Sequence, residues 1–259
     1  GDKASNEAVL VLSGKEVSSL EEINQYPAVE DLSIIDTNIS DLSPIENNAI
    51  ITVLALKNNK CSDITPISTM ENLEKLFIAE DTQIKDFSCL KENRNLRDFQ
   101  IYSMDVTGDS GIFDLDQVEY LVLYKTNLES VSEIHGMKSL RSLYILNLEK
   151  DLEGVNSILE LKQLNKIAMS GCGISDISFI AGLKDLEYVC FDQNDISDIS
   201  YLGDLLNLEE LYLAQNRISN IDVIYNLENL RYLDLSQNPL DKQEIEALKS
   251  YLPNCEIVF

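Results

Sequence analysis

Apolar residues recur along this chain every 22 residues, and that rhythm limits its fold more tightly than any other feature. Units begin at Glu7, Val29, Ile51, Leu73, Leu96, Val118, Leu140, Leu164, Leu186, Leu208 and Leu230; the unit from Leu73 has 23 residues and the unit from Leu140 has 24. Within each unit, apolar side chains fall at positions 1, 4, 6, 11, 14, 17 and 20. Position 4 runs Leu10, Leu32, Leu54, Leu76, Phe99, Leu121, Leu143, Ile167, Val189, Leu211, Leu233, and position 6 is as uniformly apolar. A two-residue spacing belongs to a strand with one buried face, so every unit should contribute one short strand. The three-residue spacing of positions 11 to 20 suits an irregular or 3-10 return segment. No single unit can bury its own apolar face, so the units must stack and share a core.

Polar columns repeat as well. Position 9 carries Asn59, Asn194, Asn216 and Asn238, with Thr37, Thr126 and Cys172 as substitutes; an inward asparagine there satisfies backbone groups at the turn after the strand. Position 15 is of helix N-cap type (Ser43, Thr65, Ser88, Ser110, Ser132, Asn156, Ser178, Ser200, Asp222), with Pro44 and Pro66 next as first helical residues. Position 13 repeats Asp41, Asp63, Asp86, Asp176 and Asp198, a column that ordinarily bonds local backbone, weak cation binding being the alternative. After the last unit, Asp241 with Glu244 makes a capping-box pattern and Ile245, Leu248 and Leu252 form one helical face. Pro253 stops that helix, and Ile257 to Phe259 predict a closing strand. Asp109 at position 14 of the fifth unit, and the extra residues between Leu146 and Leu152, predict local bulges. The chain starts almost directly in a repeat, which predicts an uncovered strand edge at that end, open to pairing.

The segments NISDLSPI (Asn38 to Ile45), CSDITPI (Cys61 to Ile67) and LEELYLAQNRISNI (Leu208 to Ile221) carry a resemblance to the leucine-rich repeat. The repeat resembles in particular the 22-residue internalin-like type of bacterial surface proteins, over residues 7 to about 240. The resemblance implies an α/β fold: a right-handed solenoid with a parallel concave sheet, short 3-10 or irregular convex segments, and a C-terminal helical cap. Residues 7–240 form the repeats (ten full units and an eleventh strand), 241–259 the cap, and 1–6 a tail. Gly1 in place of Met reads as the remnant of a cleaved expression tag. Internalins begin with a helical cap, for which this sequence has no counterpart. Intracellular regulators of phosphatases and of the cytoskeleton share the repeat length, so a cytoplasmic location stays open.

Strand alternation puts positions 3, 5 and 7 on the concave face, opposite the buried 4 and 6. These 33 positions hold eight of the chain's 18 aromatic residues, far above their share of the 259. The eight are Phe77, Tyr102, Tyr120, Tyr124, Tyr144, Tyr188, Tyr212 and Tyr232. The bland explanation, that tyrosine suits an exposed strand, would enrich Thr and Val equally. Tyrosine supplies contact area and a hydroxyl at low entropic cost, so the face reads as a partner-binding surface. Its expected centre is Tyr120, Val122, Tyr124, Tyr144 and Leu146, with Tyr188, Tyr212 and Tyr232 as a second group. Lys57, Lys75 and Lys166 stand there against Asp31, Asp98, Asp192, Glu210 and Asp234, so most of the chain's net charge of −25 lies elsewhere.

That charge would repel a phosphate backbone or an anionic membrane surface, and no apolar stretch is long enough to cross a bilayer. It would steer the protein toward basic partners. Five scattered cysteines without a Cys-x-x-Cys pair argue against disulfides or zinc, and no cofactor or metal is expected. GDSG at Gly108 to Gly111 echoes a serine-protease nucleophile segment, yet the only histidine, His135, follows it and Ser110 fits its repeat position. Asp192, Asn194 and Asp195 begin like a calcium loop, but Ser197 replaces the required glycine. Cys190, on the concave face, has no basic neighbour in sequence to activate it. The expected function is therefore non-catalytic binding of a protein on the concave face. Resemblance to internalin-like repeats implies a secreted or cell-surface bacterial protein whose ligand is a host protein or one from a neighbouring cell. A carbohydrate-binding adhesin, an intracellular regulatory scaffold and a purely structural role are the alternatives.

Overall fold

The computed structural model describes residues 8–81 and 83–259, so the tail expected over residues 1–6 lies outside the described residues. Its contacts divide it into two compact units, one ending at Asn127 and one beginning at Leu128. The first holds strands β1 (Val9–Ser13), β2 (Asp31–Ile35), β3 (Val53–Lys57), β4 (Lys75–Ala79), β5 (Asp98–Tyr102) and β6 (Tyr120–Tyr124). They pair in parallel, in chain order, in the register of the repeat: Leu10 beside Leu32, then Leu54, Leu76, Phe99 and Leu121. The second holds β7 (Ser142–Leu146), β8 (Lys166–Ser170), β9 (Tyr188–Cys190), β10 (Glu210–Tyr212), β11 (Tyr232–Asp234), helix α1 (Lys242–Tyr251) and β12 (Glu256–Val258). There the same column runs Leu143, Ile167, Val189, Leu211, Leu233, Ile257. The closing strand starts one residue earlier than the sequence predicts and leaves Phe259 exposed. In both units the position-4 and position-6 side chains form the core, as a period of two requires, with Leu10 and Leu12 of β1 only half-buried.

The return segments are 3-10 turns, including Ser43–Ile45, Thr65–Thr69 and Ser88–Glu92 in the first unit and Ser178–Ile180, Ser200–Leu202 and Asp222–Asn226 in the second. Position 15 does not cap them. Ser43, Thr65, Ser88, Ser178 and Ser200 open the turns, and the cap comes from the aspartate column two residues earlier. Asp41 Oδ1 accepts the Ser43 N–H at 2.8 Å, and Asp63, Asp86, Asp176 and Asp198 repeat the bond. A short carboxylate curls onto a backbone N–H two residues ahead, whereas a side chain inside the turn cannot reach its own N–H. Ser43 and Ser200, chiefly through that N–H, and Thr65 and Ser88, chiefly through the hydroxyl, hold Asp41, Asp198, Asp63 and Asp86 below the ordinary carboxylate range. The column is thus committed to backbone.

The asparagine column behaves as its chemistry predicts. Asn59 Oδ1 accepts the Thr37 hydroxyl at 2.7 Å, and its Nδ2 donates to the Ile34 carbonyl at 2.9 Å. The exits of β1 to β11 each hold one residue at positive φ: Asp36, Asn58, Glu80, Ser103, Lys125, Asn147, Gln193, Gln215 and Gln237, with glycine at Gly14 and Gly171. Asp81 follows in the asparagine column, 2% exposed, and its Oδ1 accepts the Asn59 N–H while Oδ2 has no partner among the described residues. Burial raises its pKa. A carboxyl with a raised folded-state pKa favours folding while protonated and loses that contribution as pH climbs from its unfolded to its folded value. Asp81→Asn, which restores an N–H donor without charge, should therefore gain about 1–2 kcal/mol at pH 7. In urea titrations the gain should shrink toward pH 4.

Both irregular units keep their strand register and absorb the irregularity in loops. In the fifth, Asp109 turns out to solvent and Ser110 is buried instead, so Ser110 caps nothing. Gly111 makes this turn at φ +77°, where a Cβ would lie 2.7 Å from Ser88 Cβ and 2.8 Å from its Cα. Gly111→Ala should cost about 2 kcal/mol or more, read as a lowered Tm. In the seventh, Leu148 and Leu152 N–H groups bond Gly171 and Cys172 carbonyls and bridge the extra residues. At the N-terminal edge, Val9 and Val11 are 55% and 56% exposed, and a hollow of about 420 Å³ opens among Leu10, Leu12, Val17, Leu20, Ile23 and Tyr26. The far end is closed: Asp241 accepts the Gln243 N–H at 2.6 Å, and Ile245 and Leu248 of α1 are fully buried.

Candidate functional site

In each unit the solvent-facing side of the strands carries an aromatic row. In the first unit Phe77 lies 4.8 Å from Tyr102, ring centre to ring centre, and Tyr102 lies 5.7 Å from Tyr124. Buried Ala79, beside Tyr102 in register, leaves room for Phe77 to lean across. Tyr102 donates to Gln100 at 3.0 Å and Gln100 to Asp98 at 2.8 Å, which fixes the ring along β5. Lys125 Nζ lies 5.3 Å from the Tyr124 ring centre. Tyr120 stands beside Asp98 in register. Val122 departs from expectation: it is 4% exposed, with Tyr120 and Tyr124 on either side along β6 and Gln100 next to it on β5. It offers a partner almost no surface.

In the second unit four tyrosines form one row. Tyr144 is 6.3 Å from Tyr188, Tyr188 is 5.4 Å from Tyr212, and Tyr212 is 4.9 Å from Tyr232, with rings tilted by 31° to 43°. Tyr144 reaches Tyr188 because buried Ala168 is its register partner on the intervening strand. The sequence signal for this contact is the lone alanine between two tyrosine-bearing strands, and it adds Tyr188 to the neighbours expected for Tyr144. Leu146 is half-buried beside Ser170.

The row is interleaved with carboxylates. Glu210 sits between Tyr188 and Tyr232 in one register column, and Tyr212 between Cys190 and Asp234 in the next. Tyr212 donates its hydroxyl to Glu210 Oε2 at 2.9 Å, and Asp234 Oδ1 accepts the Ser236 N–H at 2.8 Å. Burial raises the phenol pKa of Tyr144, Tyr188, Tyr212 and Tyr232, with nearby carboxylates adding to it for all but Tyr188, so all four stay neutral donors.

The remaining motifs hold structural posts. Asn194 is buried with both ends of its amide bonded, Asp192 accepts the Ala214 N–H at 2.7 Å, and Asp195 pairs with Arg217, so the calcium-like run points three ways. Cys190 Sγ lies 3.2 Å from Ser170 Oγ, and burial raises its pKa, the opposite of an activated thiol. His135 is exposed in the turn Ile134–Gly136. Among the described residues no helix is long and apolar enough to cross a membrane.

A family model for leucine-rich repeats, in two copies, matches residues 206–250. An internalin (InlF) from Listeria monocytogenes superposes with a TM-score of 0.65 at 24% identity, over 96% of this chain and 85% of that one. The leucine-rich repeat of FLRT2, solved in an octameric complex with latrophilin 3 and Unc5D, gives 0.69 at 16% identity over 89% and 83%. The disease resistance protein UNI of Arabidopsis thaliana is 26% identical over 172 residues, 63% of this chain; the chain spans 19% of that curated relative's length. At these identities the structural likeness shows the fold, which is the leucine-rich repeat.

Proposed function

We propose that this leucine-rich-repeat chain, internalin-like in its 22-residue units, is a non-catalytic module that binds another protein on the exposed face of its sheet. The observation that carries the reading is the second unit's tyrosine row, four neutral phenols 4.9 to 6.3 Å apart on a hydrogen-bonded sheet. Such rings are pre-ordered by their neighbours, so a partner gains aromatic contact at small entropic cost. The first unit's Phe77, Tyr102 and Tyr124 add a second strip of the same kind, with Tyr120 beside it. The FLRT2 repeat, solved in complex with other proteins, supports the general mode. A secreted or cell-surface bacterial setting is the one the internalin likeness favours, with a host or neighbouring-cell protein as ligand.

The test is capture from host-surface and bacterial-envelope extracts by the wild-type chain beside its Tyr188→Ala, Tyr212→Ala, Tyr232→Ala variant. Proteins retained by the first and lost by the second support the reading. Equal retention places the binding surface elsewhere, and retention of glycans alone replaces it with a lectin.

A further inference from the structure

We infer that the tyrosine row of the second unit is built to take arginine side chains of an extended segment in the partner; the inference rests on the protein-binding reading above. Three observations converge on it. The first is the alternation itself: along β9 to β12 one column reads Tyr188, Glu210, Tyr232, Glu256 and the next reads Cys190, Tyr212, Asp234, Val258. Neighbouring strands lie about 4.8 Å apart and same-face residues of one strand about 6.7 Å. Glu210 and Asp234 thus each sit within one such step of more than one tyrosine.

The second is how these carboxylates are held. Glu210 spends Oε2 on the Tyr212 hydroxyl and Asp234 spends Oδ1 on the Ser236 N–H. Each keeps one oxygen without a partner among the described residues, in a position its bonded oxygen fixes. A planar guanidinium can lie against a tyrosine ring and fork onto an adjacent carboxylate in one pose. An ammonium can do either but lacks the plane that does both.

The third is the local charge. Glu210, Asp234 and Glu256 line the row, Asp192 lies at its margin, and Lys166 is the one base at strand positions 3, 5 and 7 of the second unit. The corresponding positions of the first unit balance Asp31 and Asp98 against Lys57 and Lys75. The two aromatic strips therefore differ in charge, and the tyrosine row of the second unit is the one suited to a cationic segment. The chain's overall charge of −25 adds long-range attraction for the same partner.

The probe is a nine-residue capped peptide with arginine at alternate positions and threonine between, titrated by calorimetry into the full chain. The matched control replaces every arginine by citrulline, which keeps the shape and removes the charge. The arginine peptide should bind at least tenfold more tightly than the citrulline peptide, with a lysine version in between. Glu210→Gln with Asp234→Asn should erase at least tenfold of that affinity. Glu133→Gln with Glu160→Gln, exposed acids on the return turns, should leave it unchanged. Equal binding of arginine and citrulline peptides, no binding of the arginine peptide, or equal loss in both acid pairs would overturn the inference. Capture of a protein partner that depends on Tyr188, Tyr212 and Tyr232 but not on Glu210 and Asp234 would overturn it too, and leave the binding function standing. Capture indifferent to the tyrosines would overturn both.

Discussion

Asn194→Ala should destabilise the second unit by about 3–4 kcal/mol, a large part of the stability of an ordinary domain. The side chain is 8% exposed and every polar atom on it is engaged. Its Oδ1 accepts N–H groups from Cys172 at 3.2 Å and Ile174 at 3.0 Å; its Nδ2 donates to the carbonyls of Met169 at 2.7 Å, Phe191 at 3.0 Å and Asp192 at 3.1 Å. Alanine removes the bridge between two successive strand exits and leaves both N–H groups buried without an acceptor, each at about 1–3 kcal/mol. Asn194→Asp separates the two halves of the effect. It keeps the acceptor but sets a carboxylate against three carbonyls, so its cost should be largest at neutral pH and fade in acid. Asp81 is the natural case of that substitution, which is why its replacement by asparagine should act in the opposite direction. Urea denaturation of the four chains at two pH values checks the set.

Losing three of the four tyrosines of the second row should weaken partner binding by 100-fold or more while shifting Tm little. Tyr188, Tyr212 and Tyr232 are half-buried, and each touches a neighbouring ring, so one truncation loosens the next. Interface aromatics of this kind cost about 2 kcal/mol or more each when truncated, and their effects do not add. The sheet beneath is independent of them: Val189, Leu211 and Leu233 are fully buried on the opposite face. A binding defect with intact folding is therefore the expected signature, in contrast to Asn194→Ala. The same substitution on the other strip, Tyr102→Ala with Tyr124→Ala, tells which of the two surfaces the partner uses.

Most of the fold was legible because its signals are short-range and redundant. Positions 4 and 6 read apolar in every unit, so strand, register and buried face followed from the pattern alone. What was not legible depended on geometry that residue types share. Serine and aspartate are both cap formers, and only the 3-10 turn decides that Asp41 caps while Ser43 is capped. The left-handed residue at each strand exit left no trace because Glu80, Lys125 and Gln193 occupy it as readily as Gly171. Such residues bear about 1 kcal/mol of strain that the hydrogen-bonded stack holds in place. On the exposed face of the sheet, alternation put the aromatic side chains on the solvent side, while the contact of Tyr144 with Tyr188 went unread. Ala168, beside Tyr144 in register, lets it reach Tyr188, and Val122 is almost fully buried.

The most direct test of the binding account is hydroxyl-radical footprinting of all 11 tyrosines, with and without a captured partner. The account predicts protection at Tyr144, Tyr188, Tyr212 and Tyr232, and unchanged labelling at Tyr26, Tyr201, Tyr225 and Tyr251. Protection confined to that second group, with the sheet-face tyrosines labelled as in the free chain, would contradict it.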